Sequence, residues 1–107
     1  MEARILRLAG PFTLNSVFEF QSAAREIADP VIIVDLSGVP YMDSAALGAL
    51  LGLHCSCERQ RKHYALAGAS DRLLSVFDVA GVNTLLVTYP TIEEAETGLS
   101  AKGAAAG

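Results

Sequence analysis

Hydrophobic residues recur along the 107-residue chain at two alternating spacings, one typical of strands and one typical of helices. Short apolar or alternating runs predict four strands, at Glu2 to Leu8, Val31 to Leu36, Tyr64 to Ala67 and Thr84 to Thr88. Apolar positions three and four residues apart predict four helices, over residues 16–28, 44–62, 71–80 and 91–99. The order β-α-β-α-β-α-β-α predicts one α/β domain, with about four mostly parallel or mixed strands and four helices packed against the sheet.

Residues at the ends of these elements support the assignment. Ser16-Val-Phe-Glu19 and Thr91-Ile-Glu-Glu94 fit the capping box of a helix start. Asp29-Pro30 ends the first helix, because proline disfavours helical geometry in the residue before it. Gly81 suits the position after a helix, where a left-handed conformation is common. We therefore expect a domain over residues 1–100 and a flexible tail over 101–107.

The periodic positions also predict which side chains face the core. Val31 to Leu36 is apolar without alternation, which is typical of a central strand covered on both faces. The helical positions expected to face inward are Val17, Phe20, Ala24, Ile27, Leu47, Leu50, Leu51, His54, Leu73, Leu74 and Phe77, with Ala46 and Leu53 at the margins of their stripe.

Composition and charge exclude several classes of protein. A hydrophobic fraction of 51% with 19% charged residues is typical of a compact fold rather than of a disordered chain. A net charge of -4, with Arg59–Lys62 as its basic cluster, argues against nucleic acid as the partner. The apolar runs are shorter than the roughly 20 residues that cross a bilayer, and the N-terminus lacks a signal-peptide pattern. We expect a cytoplasmic protein without membrane insertion.

The two cysteines do not indicate a redox motif. Cys55 and Cys57 are two residues apart in a predicted helix, so they point to different sides and are poorly placed for a mutual disulfide. The nearby His54 and His63 raise the alternative of a metal site, but a buried structural thiol is the more common fate of cysteine. We therefore expect neither a metal nor a cofactor.

The stretch Val31–Leu53 combines a strand, a turn and a helix start, and it carries the candidate site. Asp43 suits the N-cap of the helix, and Ser44 follows where the first amides have no backbone partners. In open parallel sheets, ligand and partner sites gather at the carboxyl ends of strands. Asp43 and Ser44 follow the carboxyl end of the predicted strand Val31 to Leu36.

Ser44 has three interpretations. A hydrolase nucleophile is disfavoured because Met42-Asp-Ser-Ala-Ala46 lacks the G-x-S-x-G pattern and the nearest histidines lie on or just past the same helix. Ser44 instead either assists Asp43 in capping the helix or is phosphorylated. A phosphoryl group would place negative charge at a helix N-terminus beside Asp43, and so change a binding surface rather than the fold. These residues alone leave capping and phosphorylation open.

The segment IIVDLSGVPYMDSAALGALL resembles the signature of STAS domains, as found in bacterial anti-sigma factor antagonists. The signature's D-L/F-S strand end corresponds to Val34–Ser37, its aromatic and Met-Asp-Ser loop to Tyr41–Ser44, and its S/A-G/A-L-G start of a leucine-rich helix to Ala45–Gly48. Downstream, Leu73–Gly81 is similar to the family's R-x-L-F-x-x-x-G-L helix. The resemblance extends from about Arg4 to Leu99.

The resemblance implies a function without enzymatic activity. In that family an anti-sigma factor that is also a serine kinase binds the unphosphorylated antagonist and releases its sigma factor. Phosphorylation of the serine after the motif aspartate breaks the complex, and a phosphatase restores it. Ser44 is then the phosphoacceptor. The implied partner-binding residues are Tyr41, Met42, Asp43, Ser44, Ala45, Leu47, Gly48, Thr13 and Asn15.

The chain departs from the family pattern in three places. Thr13 occupies a position where many members carry an acidic residue, and Ala45-Ala46 replaces the common S-G. The chain also begins about one strand later than many antagonists, which predicts an open sheet edge and a weak homodimer.

Two alternatives to the antagonist function remain open. One is an unphosphorylated STAS scaffold or transporter-accessory domain, and the other is a small-nucleotide-binding module, which no glycine-rich phosphate loop supports.

Overall fold

The eight elements alternate along the chain in the predicted order. The structure is a computed structural model that describes residues 3–101. Its strands are β1 (Arg4–Ala9), β2 (Val31–Gly38), β3 (His63–Ala67) and β4 (Thr88–Tyr89). Its helices are α1 (Leu14–Glu26), α2 (Ser44–Gln60), α3 (Asp71–Val79) and α4 (Ile92–Ala101). The predicted tail begins at Ala101, which still belongs to α4, and residues 102–107 lie outside the described part.

All four strands run parallel, in the order β1-β2-β3-β4. Because this order follows the chain, crossovers of one hand place α1, α2 and α3 on the same face. Their buried residues share one cluster with Val34 of β2. On the other face, Ala95 and Leu99 of α4 pack with Ile33. Residues Val31–Leu36 are all buried, which confirms β2 as a central strand covered on both faces.

None of the helices in the described range 3–101 is long and apolar enough to cross a membrane. The sheet ends in β1 on one side and β4 on the other. Pairing of such an edge with a second copy stays a prediction.

The start of α1 differs from the prediction, because Thr13 rather than Ser16 is its N-cap. Ser16 is instead the third helical residue, and its Oγ accepts a hydrogen bond from the Thr13 amide at 3.0 Å. The capping box therefore joins Thr13 and Ser16, with serine in the place that glutamate more often holds. The predicted Ser16–Glu19 box is wrong.

The predicted strand Thr84–Thr88 is wrong for most of its length, because β4 contains only Thr88–Tyr89. The amides of Leu85 and Leu86 both donate to the Val82 carbonyl, at 3.0 Å. The segment is thus a turn that buries Leu86 and leaves Leu85 exposed. A short apolar run does not distinguish a strand from an apolar turn by periodicity alone.

Helices α2 and α3 bury slightly different faces from those predicted. The buried residues of α2 are Ala46, Ala49, Leu50, Leu53 and Cys57. Three residues expected at the centre of its stripe are only half-buried: Leu47, Leu51 and His54. In α3, Leu73 and Phe77 are buried as predicted, whereas Leu74 is 39% exposed. The buried face of α2 includes Ala46 and Ala49. Because small residues carry little weight in a hydrophobic pattern, the pattern placed the centre of this face on the larger residues beside them.

Replacing Leu50 with alanine should lower the free energy of unfolding by about 2–5 kcal/mol, because it leaves a cavity in a closely packed core. Leu50 is completely buried. The control Leu74→Ala removes the same atoms from a position that is 39% exposed, and it should lower stability clearly less than Leu50→Ala does. Urea unfolding followed by circular dichroism measures both variants. Equal losses would contradict the buried faces described for α2 and α3.

Candidate functional site

The candidate site is the corner between β2 and α2, at the carboxyl edge of the sheet. Phe12 and Met42 form an isolated parallel bridge there. The Phe12 amide donates to the Tyr41 carbonyl at 3.1 Å, and the Asp43 amide donates to the Phe12 carbonyl at 3.2 Å. These bonds join the loop before α1 to the loop before α2, so the two helices begin side by side.

The carboxylate of Asp43 caps both helices. Its Oδ1 accepts a hydrogen bond from the amide of Ala46, in the first turn of α2, at 2.9 Å. This bond confirms the predicted N-cap. Its Oδ2 accepts from the amide of Leu14, the first residue of α1, also at 2.9 Å. The bonds from Ala46 and Leu14 favour the ionised form, and they hold the pKa of Asp43 below its ordinary value of 3.8.

Ser44 is the first residue of α2, and it is exposed. It directly follows Asp43 in the chain and lies at the end of the helix where the backbone dipoles leave a partial positive charge. The regular backbone bonds of α2 start with the amide of Leu47, which donates to the Asp43 carbonyl at 3.1 Å. An anion attached to Ser44 would therefore meet a helix start that attracts it and a carboxylate that repels it.

Large apolar side chains are exposed next to this corner. Leu14 is 70% exposed and Phe18 is 72% exposed, and they lie one turn apart on the same side of α1. Tyr41 is 43% exposed, with the guanidinium carbon of Arg72 5.8 Å from its ring centroid, within cation–π range. We call Leu14, Phe18, Tyr41 and Ser44 the corner surface. Exposed apolar groups that occur together are typical of an interaction site.

The structure brings the sequence-predicted site residues to the loops and helix starts around this corner. Four are exposed: Asn15, Tyr41, Ser44 and Gly48. Four are half-buried: Thr13, Asp43, Ala45 and Leu47. Met42 differs, because it is only 8% exposed and its side chain belongs to the core cluster. Its side chain is therefore not part of the accessible surface.

Sequence reasoning missed Leu14 and Phe18. Both lie in the segment before the signature, and neither belongs to the inward-facing positions of α1. A signal was present, because two large apolar residues four apart on the polar side of an amphipathic helix have no role in its core. The start of α1 is held at this corner by the bond between Leu14 and Asp43, which are 29 residues apart in the chain.

Asp35, the first polar residue of the signature, fixes the end of β2. Its Oδ2 accepts from Nη1 of Arg7, and its Oδ1 accepts from the amide of Ser37, both at 3.0 Å. Burial raises the pKa of Asp35, but the bonds from Ser37 and the charge of Arg7 outweigh it and keep the pKa below 3.8. Gly68, with φ +74°, packs closely here, because a Cβ on it would lie 3.0 Å from that of Ser37. This cluster has a structural role.

The residues considered for a metal make other contacts. Nδ1 of His54 lies 2.8 Å from the hydroxyl of Tyr64, and its Nε2 pairs with Glu58. Burial raises the pKa of Tyr64 to about 12. Cys57 is buried, and burial raises the pKa of its thiol, whereas Cys55 is exposed. Within residues 3–101 there is no group of three or more His, Cys, Asp or Glu arranged to hold a metal.

Comparison with known proteins identifies the family. The family described as STAS domain matches residues 2–95, and the chain therefore belongs to the STAS domain family. The anti-sigma-B factor antagonist of Listeria monocytogenes is 36% identical over 56 residues. That match covers 52% of this chain and 49% of the Listeria protein, about half of its length. The anti-sigma-B factor antagonist of Staphylococcus aureus is 29% identical over 75 residues, 70% of this chain and 69% of that protein.

Solved structures share the fold. A candidate anti-sigma factor antagonist from Thermotoga maritima has a TM-score of 0.84 at 21% identity, covering 90% of this chain and 86% of its own. The unphosphorylated antagonist SpoIIAA, from Bacillus, has a TM-score of 0.75 at 24% identity, with coverages of 95% and 91%. A sulfate transporter family protein from Wolinella succinogenes has a TM-score of 0.79 at 25% identity, with coverages of 94% and 88%.

Acidification should weaken the fold through Asp35 and Asp43. Their folded pKa values lie below the ordinary 3.8, so the unfolded chain binds more protons at low pH. The stability that these two carboxylates contribute is complete above about pH 5 and is lost as the pH falls through 3.8 and the lower folded pKa values.

Asp43→Asn keeps an oxygen for the amide of Ala46 but leaves the amide of Leu14 without an acceptor. The variant should be less stable at pH 7, and its deficit should shrink in acid.

Urea unfolding at pH 7 and near pH 3 measures this effect. The matched control is Asp29→Asn, which removes a carboxylate from an exposed residue before β2. It should leave the pH dependence close to that of the unmodified protein. An Asp43→Asn variant with the same pH dependence as the control would contradict the double-capping role.

Proposed function

We propose that this STAS domain is an anti-sigma factor antagonist that acts as a phosphorylation-controlled binding switch. In its unmodified form it binds an anti-sigma factor that is also a serine kinase. The kinase transfers the γ-phosphoryl group of ATP to Oγ of Ser44, the complex dissociates, and a phosphatase removes the group. The observation that carries the proposal is the exposed residue Ser44 at the start of α2, directly after Asp43, whose carboxylate binds the amides of both helix starts.

The relatives support this role. The matching Listeria and Staphylococcus proteins are anti-sigma-B factor antagonists. The structural neighbour SpoIIAA is known in an unphosphorylated and a phosphorylated form. Both forms match this chain, with TM-scores of 0.75 and 0.67, so phosphorylation of that protein is compatible with the shared fold. Because the phosphoryl donor is ATP, we place the function in the cytoplasm, with the domain as a substrate and binding partner rather than an enzyme.

The chemistry of the corner explains how one phosphoryl group would change binding. It adds between about 1.5 and 2 negative charges, which the N-terminus of α2 stabilises and Asp43 opposes. Its oxygens compete with Asp43 for the amide of Ala46, and repulsion weakens the hold of Asp43 on Leu14. A partner seated on the apolar corner surface would then have to desolvate a new charge. The fold persists while the complex is destabilised.

Incubation with ATP and serine kinases from the same genome should add one phosphoryl group, detected by intact-mass analysis. Ser44→Ala should abolish the gain, because it removes the accepting oxygen. The matched control Ser37→Ala removes an exposed hydroxyl at the end of β2 and should leave the gain unchanged. A gain that persists in Ser44→Ala, or no gain with a kinase that binds the protein, would refute the switch.

Phe18→Ser should weaken binding to that kinase about tenfold or more. An aromatic side chain that is exposed in the free protein and becomes buried in a complex contributes strongly to the binding energy. The change should hardly affect folding, since Phe18 is 72% exposed. The control is Val79→Ser, at the last residue of α3, which alters an apolar side chain that is 88% exposed. This variant should bind the kinase with unchanged affinity. Isothermal titration calorimetry gives both affinities. Equal affinities would exclude α1 from the interface.

A second function has one supporting observation, the 25% identity to the sulfate transporter family protein of Wolinella succinogenes over 94% of this chain. In that role the domain would be an accessory part of a membrane transporter, and Ser44 would need no modification. Co-purification with a transporter subunit, together with binding that Ser44→Asp does not change, would favour this function over the switch.

A further inference from the structure

A groove of about 300 Å³ lies between α1 and α2, away from the Ser44 corner. It is lined by the second half of α1, by α2 from Ala49 onward, and by Ile32 near the start of β2. Its volume lies at the lower limit of small-molecule sites, about 300–1,000 Å³. Its floor is apolar and consists of Phe20, Ala24, Ile32, Ala49, Leu53 and Cys57.

The remaining lining residues are polar or cationic. They include Arg25 and Lys62, and among the described residues that line the groove there is no Asp or Glu. Nζ of Lys62 donates to the carbonyl of Ile27 at 2.8 Å, which holds the ammonium group at the rim and uses one of its three donors. The groove thus combines an apolar floor with a positively charged rim.

Gly52 of α2 also lines the groove. It lies in the middle of α2, where glycine destabilises a helix relative to alanine. A Cβ at this position would meet nothing within 4 Å, so close packing does not require glycine there. Because Gly52 lines the groove, a larger side chain would occupy the space of the groove instead.

We propose that this groove binds a small amphiphilic anion, namely an aliphatic carboxylate of medium chain length. Its hydrocarbon chain contacts the apolar floor, and its carboxylate pairs with Arg25 and Lys62 at the rim. A guanidinium and an ammonium group form strong charge-assisted bonds with a carboxylate. An apolar floor with a few convergent polar groups is the usual composition of a small-molecule site. The site does not involve Ser44, so it is independent of the proposed switch.

Titration of the ¹⁵N-labelled protein with sodium octanoate, below its micelle concentration, tests the proposal by two-dimensional NMR. We expect saturable shifts of the amides that line the groove. Arg25→Gln and Lys62→Gln should each raise the Kd about tenfold, because each removes a charge-assisted bond. The matched control Arg59→Gln removes a cation of α2 that does not line the groove, and it should leave the Kd unchanged.

Gly52→Leu should abolish binding because its side chain fills the groove. Circular dichroism verifies that the variant is folded, and the two rim variants test the site separately. The probe 1-octanol has the same chain length without the carboxylate, and it should bind at least about tenfold more weakly. Absence of saturable shifts with octanoate would overturn the proposal. So would equal binding of 1-octanol, or unchanged binding to folded Gly52→Leu.

Discussion

The carboxylate of Asp43 is the contact on which the functional end of this domain depends. Parallel strands are hydrogen-bonded to one another along their length, but the helices that follow β1 and β2 need another contact to start side by side. The carboxylate of Asp43 supplies such a contact, with one oxygen on the amide of Ala46 and the other on that of Leu14. It acts together with the backbone bonds that join Phe12 to Tyr41 and Asp43.

This arrangement gives the corner a particular sensitivity to charge. A carboxylate that accepts two amide bonds is held in its ionised form, and a second anion one residue further on competes for the same donors. A phosphoryl group on Ser44, as proposed above, would therefore affect the hydrogen bond to Leu14 without unfolding any element. Charge and helix capping act at one place, which suits a site read by a binding partner.

The corner and the groove lie at different points along the same two helices, α1 and α2. Helices α1 and α2 begin at the carboxyl edge, where the corner surface lies, and they run back along the sheet toward the groove. Their contacts at the start are fixed by Asp43 and the Phe12–Met42 bridge. Further along, Ala24 and Gly52 present little side chain between them. One helix pair therefore provides an end held together by hydrogen bonds and, further along, an open groove.

The sequence by itself determined the order of the elements, the buried central strand and the N-cap at Asp43, because these depend on local periodicity and on short-range hydrogen bonds. The resemblance in the segment from Ile32 to Leu51 also indicated the STAS family. The tertiary structure alone decided that Asp43 caps α1 as well, that the start of α1 with Leu14 therefore lies at the Ser44 corner, and that Met42 is buried. It also decided that the residues before Thr88 form a turn. Those features depend on contacts between residues far apart in the chain, and no local pattern of hydrophobic and polar positions records such contacts.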